Sequence, residues 1–427
     1  MQKVVFKTYG CSNNFSESEA MAGILVKEGY SAEESIEFSS ADIIIFNMCS
    51  VKGPSVNHCI NSVKKLLKEF PEKTIVVAGC VPKEIIKKIK SINEKILIVN
   101  THNIDQIKNA LITSKDFTSF EKKIKLNYPK KRINKFIGIV PILSGCNDFC
   151  TYCSTKLIKG SLISFPEKQI LEEVKTALKD GCREIWITSQ DNGAFGTEQG
   201  KNKLAELINK VCLIEGDFFI RIGMTNPTYV LESLPELIKA FKNNKVFKFL
   251  HIPVQSGNNE ILKKMNRRYT VSDYKKIVKA FKKEIPGFTV ATDIIVGFPG
   301  ETAKQFQDSL DLVKQTKPEM LNMSRFQSRP FTLASKMPQL TGSEIKSRSR
   351  ELTKLFKKIS LENNNKWIGK TCKVLIDEKG KKPNQCIGRN SFYKQIVFEK
   401  KILLGKTVQA KIIGAKTFHL IGKTARN

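Results

Sequence analysis

The first hundred residues alternate short apolar runs with stretches of helical periodicity. "KVVFKTY", "ADIIIFN", "KTIVVAG" and "KILIVN" have the composition of strands. Between the second and third lies "SVNHCINSVKKLLKEF", with Val56, Ile60, Val63 and Leu67 on one helical face. This alternation predicts a parallel, doubly wound sheet over 1–115. From about Ser114 the periodicity fails, and "EKKIKLNYPKKRINK" is basic and contains a proline, so 116–135 reads as an interdomain linker. A second series follows: "FIGIVPI", "EIWITS", "FFIRIGM", "KFLHIPVQ", "TVATDIIVGF" and "MLNMSRF", with helical stretches at 166–180, 227–243, 270–285 and 301–316. Six parallel βα units predict a partial (β/α)6 barrel, smaller than the closed eight-unit form. Residues 341–365 carry Ile345, Leu352, Leu355, Phe356 and Ile359 at helical spacing, a helix trailing the 136–365 domain. The tail, 366–427, has short β-like runs separated by glycine and lysine, which fits a small β-barrel.

Size and composition agree with an α/β protein of several domains. The chain has 427 residues, 41% hydrophobic and 26% charged, and no apolar run approaches the ~18 residues that span a bilayer. The start, "MQKVVFKTYGC", reads directly into a strand without the pattern of a secretory signal. The expectation is a cytoplasmic protein with no membrane segment. Charge points to a partner: 72 Lys and Arg against 41 Asp and Glu leave +31, which favours a polyanion, nucleic acid ahead of a membrane surface. A lysine-rich solubilising surface would look the same in composition alone. The tail is more informative, with 15 basic and three acidic residues in 366–427. A small basic barrel is a common RNA grip, although Phe392, Tyr393 and Phe418 taken singly read as barrel core.

Eleven cysteines are many for a reducing compartment, where clustered thiols more often hold metal than form disulfides. "ILSGCNDFCTYCSTKL" places Cys146, Cys150 and Cys153 within eight positions, on the loop leaving "FIGIVPI". Structural zinc normally takes four protein ligands, whereas a four-iron cluster can be held by three thiolates with its fourth iron kept for another ligand. Cys11, Cys49 and Cys80 each lie just past the carboxyl end of a predicted strand of the first sheet, the edge at which open α/β sheets build their sites. Buried structural cysteines are the plain alternative for each alone. Cys59, Cys182, Cys212, Cys372 and Cys386 are assigned to packing or surface.

The spacing at 146–153, with the aromatic Tyr152 before the last cysteine, resembles the radical S-adenosylmethionine superfamily. The resemblance implies a [4Fe-4S] cluster whose unique iron binds the amino and carboxylate groups of S-adenosylmethionine, cleaved by one electron to a 5′-deoxyadenosyl radical. Over nearly the whole chain, "YGCSNNFSESEAMAG", "NMCSVKGPS", "VAGCVPKE", "ITSQDNGAFG", "RIGMTNPTY", "HIPVQSGNNEIL", "ATDIIVGFPGET" and "SRPFTLASKMP" resemble the methylthiotransferases. The match is closest to the archaeal and eukaryotic branch acting on threonylcarbamoyladenosine in tRNA. This implies a second [4Fe-4S] cluster on Cys11, Cys49 and Cys80 whose open iron holds the sulfur to be delivered, and a C-terminal barrel of the TRAM type. It also implies two uses of S-adenosylmethionine, as methyl donor to the sulfur and as radical source, and as further partners tRNA, a sulfur donor and a low-potential electron donor. Tyr152 would pack on the adenine, and Gln190, Asp191 and Gln255, polar residues at strand ends, are candidates for the cofactor's ribose, amino or carboxylate groups.

Two departures from the family stand out. After Arg329 and Pro330 the family usually has Gly-Thr-Pro, where this chain has Phe331, Thr332 and Leu333. The membrane anchor that often ends the eukaryotic branch is not present, which favours the archaeal type. "GFPGE", Gly297 to Glu301, lacks the ending of a nucleotide P-loop and reads as a tight turn after a strand lining the cofactor site. The runner-up among enzymes is a methylthiotransferase acting on a ribosomal-protein aspartate, whose basic substrate a +31 enzyme would repel. A non-catalytic iron–sulfur RNA-binding protein would have no need of an open iron.

Overall fold

The computed structural model describes residues 1–50 and 53–425, so the first two residues of "VKGPS", Val51 and Lys52, lie outside the described residues. The chain divides into two compact units: 1–135 with 139–147 and 154–173, and the remainder.

In the first unit five strands, β1 (Lys3–Thr8), β2 (Ser31–Glu34), β3 (Ile43–Cys49), β4 (Thr74–Cys80) and β5 (Leu97–Asn100), form one parallel sheet in the order β2-β1-β3-β4-β5. Successive side chains alternate between its faces. Val4, Phe6, Ile43, Ile45, Val76 and Ala78 pack with Met21 and Leu25 of the helix Ser12–Lys27 on one side. On the other, Val5, Ile44, Phe46, Ile75 and Val77 pack with Cys59, Val63 and Leu66 of the helix Gly53–Glu69. Both faces are covered, which is why the strands read as continuous apolar runs rather than as alternation. The polar edge strand β2, "SAEE", has no such run and was not foreseen. The stretch read as a linker, 116–135, is packed on this unit: Phe117 makes a parallel bridge to Val99, and Lys125 and Lys130 are buried in ion pairs with Glu17 and Glu173. The basic composition with a proline reads as a loop, but two of its lysines are satisfied inside. The short pair β7 (Leu143–Ser144) and β8 (Ile163–Ser164) follows β6 (Ile137–Pro141).

The second unit contains β9 (Glu184–Thr188), β10 (Phe219–Ile222), β11 (Phe249–His251), β12 (Thr289–Val296) and β13 (Met320–Arg325). They form two three-stranded sheets, β6-β9-β10 and β11-β12-β13, in which β9 with β10, β11 with β12 and β12 with β13 run parallel. A single parallel bridge, Ile220 to Val246, links the two just before β11. The six units therefore lie in sequential order as an open partial barrel. The helix Gly342–Asn365 buries Leu352, Phe356 and Ile359 and leads to a closed barrel of β14 (Thr371–Lys379), β15 (Cys386–Asn390), β16 (Gln395–Phe398), β17 (Thr407–Ala415) and β18 (Leu420–Thr424). Val374, Ile376, Ile396, Phe398 and Ile412 fill its centre. Tyr393 is buried against Phe247 and Phe249, docking the barrel on the β/α sheet, and Phe392 packs on Trp367, whereas Phe418 is exposed. Among the described residues no helix is long and apolar enough to cross a membrane.

Candidate cluster sites and cofactor-binding residues

Strands β3 and β4 end on Cys49 and Cys80, which are register partners, so two thiols meet at one carboxyl-terminal edge. A hydrogen bond with Cys49, followed by burial, pushes the Cys80 thiol well above its usual range. Cys11 is the N-cap of the helix Ser12–Lys27. Gly10 makes this approach possible: its φ is +129°, and a Cβ there would lie 2.6 Å from Cys49 Cβ. Two buried asparagines fix the loop to the sheet. Asn14 Nδ2 donates to Asn47 Oδ1 (3.1 Å) and Met48 O (3.2 Å), while Asn47 Nδ2 donates to Asn14 O (2.7 Å) and Ser18 Oγ (2.9 Å). Three soft thiols on this edge fit the donor set of an iron–sulfur cluster held by three cysteines.

Behind them lies a buried charge network. Glu17 Oε1 accepts from Lys125, from Lys159 at 3.1 Å and from Thr101 Oγ1 at 2.6 Å. Burial alone would raise the Glu17 pKa, but Lys125 and Lys159 outweigh it and bring it to about 2.

The cysteine loop at 146–153 divides between the units. Cys146 packs with the first, its N–H donating to Gly160 O at 3.2 Å. Cys150 and Cys153 belong to the second, where the Cys153 N–H donates to Cys150 O at 3.0 Å. Arg267 Nη1 donates to Cys150 Sγ at 3.1 Å. Burial raises the Cys150 pKa, and the Arg267 charge offsets part of that rise. Thr151 ties the loop down: its N–H donates to Met265 O (3.1 Å), its Oγ1 to Lys264 O (2.9 Å), and its carbonyl accepts from Ala334 (2.9 Å). Tyr152 packs with Ile261, Met265, Phe298, Phe326 and Ala334, an apolar wall suited to a flat ring.

The other candidates follow strands. Gln190 follows β9 by two residues. Asp191 is buried, and its Oδ1 accepts from the N–H groups of Gly193 and Asn226, both at 3.0 Å; burial and the nearby Asp148 raise its pKa to about 7. Gln255 has φ +70°, unusual for a side-chain-bearing residue, and is held there by its N–H to Asp293 O (2.8 Å) and by Ile295 N–H to its carbonyl (2.9 Å). Glu301 N–H closes the "GFPGE" turn on Phe298 O at 2.9 Å.

Three family models match: the Radical SAM superfamily over 140–313, the Uncharacterized protein family UPF0004 over 3–100, and the TRAM domain over 365–425. A "Probable threonylcarbamoyladenosine tRNA methylthiotransferase" of Pyrococcus horikoshii is 41% identical, covering 99% of each chain. The "Threonylcarbamoyladenosine tRNA methylthiotransferase" of Homo sapiens is 37% identical over 96% of this chain and 72% of its own. The chain belongs to the threonylcarbamoyladenosine tRNA methylthiotransferase family. Among solved structures, the radical S-adenosylmethionine methyltransferase TsrM of Kitasatospora setae with cobalamin and a [4Fe-4S] cluster bound shares its fold at TM-score 0.55 and 11% identity, covering 78% of this chain and 77% of that one.

Sequence reasoning missed several groups in this methylthiotransferase-family chain. Arg267 and its neighbour Arg268, which donates to Asp148 Oδ1 at 2.7 Å, lie more than a hundred residues from the cysteine loop they support. The group of His251, Asp293 and Asn322, with His251 Nε2 2.7 Å and Asn322 Nδ2 2.9 Å from Asp293 Oδ1, assembles from three strands. Lys125, inside the stretch expected as a linker, and Lys159 are buried on Glu17. The runs "NRRY", "HIPVQ" and "ATDIIVGFPGET" are sequence signals that point to the first two sets.

Proposed function

We propose that this protein is a tRNA-modifying radical S-adenosylmethionine methylthiotransferase that adds a methylthio group to C2 of N6-threonylcarbamoyladenosine at position 37, next to the anticodon. What supports this reading is the pairing of Cys49 with Cys80 at one strand edge, with Gly10, next to Cys11, packed against Cys49, in a chain that also has the 146–153 cysteine spacing. When bound, a [4Fe-4S] cluster on Cys146, Cys150 and Cys153 supplies the electron that cleaves S-adenosylmethionine, and a second on Cys11, Cys49 and Cys80 presents the sulfur. The C2–H of adenosine is too weak an acid for a side-chain base, so the protein's task is position and exclusion of water. Arg267 donates a charge-assisted hydrogen bond to the Cys150 sulfur and so positions it. Tyr152 offers its ring to the adenine from an apolar wall, and Gln190, Asp191 and Gln255 orient the ribose, amino and carboxylate groups.

The basic tail and its closed barrel suit the RNA backbone. A sulfur donor and a low-potential electron donor complete the reaction, in the cytoplasm. By periodicity the domains are 1–115, 136–365 and 366–427, with 116–135 connecting the first two in sequence while packing on the first unit. The reading of a ribosomal-protein aspartate as substrate is not favoured, since the relatives are named for tRNA. Mass spectrometry of tRNA nucleosides from cells with and without the gene tests the proposal. Loss of the 2-methylthio nucleoside with accumulation of its unmethylthiolated precursor is expected; an unchanged profile would remove the substrate.

A further inference from the structure

A buried lysine within electrostatic reach of Cys80 and Cys11 has no place in the chemistry above, and its interpretation rests on the reading of these two with Cys49 as a cluster site. The Lys159 side chain is 3% exposed. Its Nζ donates to Thr101 Oγ1 at 2.7 Å and to Glu17 Oε1 at 3.1 Å, and no acceptor among the described residues takes its third N–H. Lys125, equally buried, has a full set of acceptors in Glu17 Oε1, Thr101 O (3.1 Å) and Thr101 Oγ1 (3.0 Å). Two ammonium groups thus share one carboxylate. His102, which faces the same group, adds no charge at neutral pH, because burial lowers its pKa.

With both ammonium groups charged the network buries one positive charge in excess, a strain also seen in the Lys125 pKa, which burial and Lys159 lower. Lys159 lies within electrostatic reach of Cys80 and Cys11, so thiolates there, once they ligate, act on it together with Glu17. The covalent and hydrogen-bonded frame agrees: the Thr101 N–H donates to Gly79 O at 2.7 Å, one residue before Cys80, and Glu17 lies on the helix that Cys11 caps. Three thiolates around a dicationic four-iron core carry one net negative charge. The two excesses cancel.

We infer that Lys159 is the buried counter-ion of the cluster held by Cys11, Cys49 and Cys80, a positioning residue that sets how readily this cluster accepts an electron. Glu17 and Thr101 brace the ammonium, and Lys125 braces Glu17. One electron entering the cluster adds one negative charge, while Lys159 stays protonated and neither makes nor breaks a bond. The low dielectric of the interior makes that attraction stronger than a surface lysine could provide.

The test uses the full chain with Cys146→Ala, Cys150→Ala and Cys153→Ala, so that any cluster present is the one in the first unit. After anaerobic reconstitution, each protein is titrated with dithionite and followed by electron paramagnetic resonance. Lys159→Met is expected to disfavour reduction by about tenfold or more, which is 59 mV for a one-electron couple, whereas Lys159→Arg stays near the parent. Loss of iron in Lys159→Met with retention in Lys159→Arg would equally support the counter-ion. An unmoved potential in Lys159→Met, or Lys159→Arg shifted or emptied as far as Lys159→Met, would overturn it, since shape rather than charge would then matter. A parent that binds no iron would instead refute the cluster reading itself.

Discussion

Replacing Arg348 by methionine tests whether the "GFPGE" turn is held by a buried charge pair. Glu301 and Arg348 are 1% and 8% exposed in their side chains, and Arg348 Nη1 reaches both Glu301 Oε2 (2.9 Å) and Glu301 O (2.8 Å). The same Oε2 accepts from the Gly297 N–H at 3.0 Å, so this carboxylate fixes the turn after β12. In Arg348→Met the buried carboxyl can keep its charge or take up a proton. The second route bounds the cost. From an ordinary value of 4.5, protonation at pH 7 costs at most about 3.4 kcal/mol, at ~1.36 kcal/mol per pH unit, and at pH 5 only about 0.7 kcal/mol. Burial already raises the Glu301 pKa in the parent, so the measured difference falls below this ceiling. The sign is set by that direction: a carboxyl with a raised folded pKa retains its stability below its unfolded value and loses it as pH rises. Amide exchange of 297–301 and 344–349 in the apo-protein at pH 5 and pH 7 reads the local opening free energy without requiring two-state unfolding. The deficit is expected to grow with pH, and the neutral double variant Glu301→Gln/Arg348→Met to recover most of it at pH 7. A deficit equal at both pH values, or a double variant no more protected than Arg348→Met, would refute the reasoning.

Phe331 occupies φ +65° and is 70% exposed, so Phe331→Gly is expected to stabilise its loop by about 0.5–1 kcal/mol, read as a rise in melting temperature; a fall would show that the ring is anchored. Asp191, with its pKa raised to about 7, lowers stability as pH rises from its ordinary value of 3.8 to about 7. Asp191→Asn should therefore match the parent at pH 4 and exceed it at pH 8 in urea unfolding, and a parent with no pH dependence removed by the change would contradict this. Cys49→Ser should cut iron from about eight to about four per chain and abolish methylthiolation while 5′-deoxyadenosine still forms; unchanged iron would exclude Cys49 as a ligand.

The sequence by itself determined which segments are strands and helices wherever apolar residues ran continuously or at helical spacing. β1, β3, β4 and β5, the six units from β6 to β13, and the helix Gly342–Asn365 all follow from periodicity, because burial on two faces or on one stripe leaves that mark. It also placed Cys11, Cys49 and Cys80 at strand ends, since a parallel sheet brings equivalent ends to one edge. What periodicity could not show is polar structure. The edge strand β2, with "SAEE", is mostly polar, and the 116–135 stretch looked like a loose linker because lysines inside an ion pair have the same composition as lysines in water. Only the tertiary structure decided that Lys125 and Lys159 are buried on one carboxylate, and that Arg267, 117 residues from Cys150 in the chain, donates to its sulfur. Charge pairing depends on distance in space, and sequence separation carries almost no information about it.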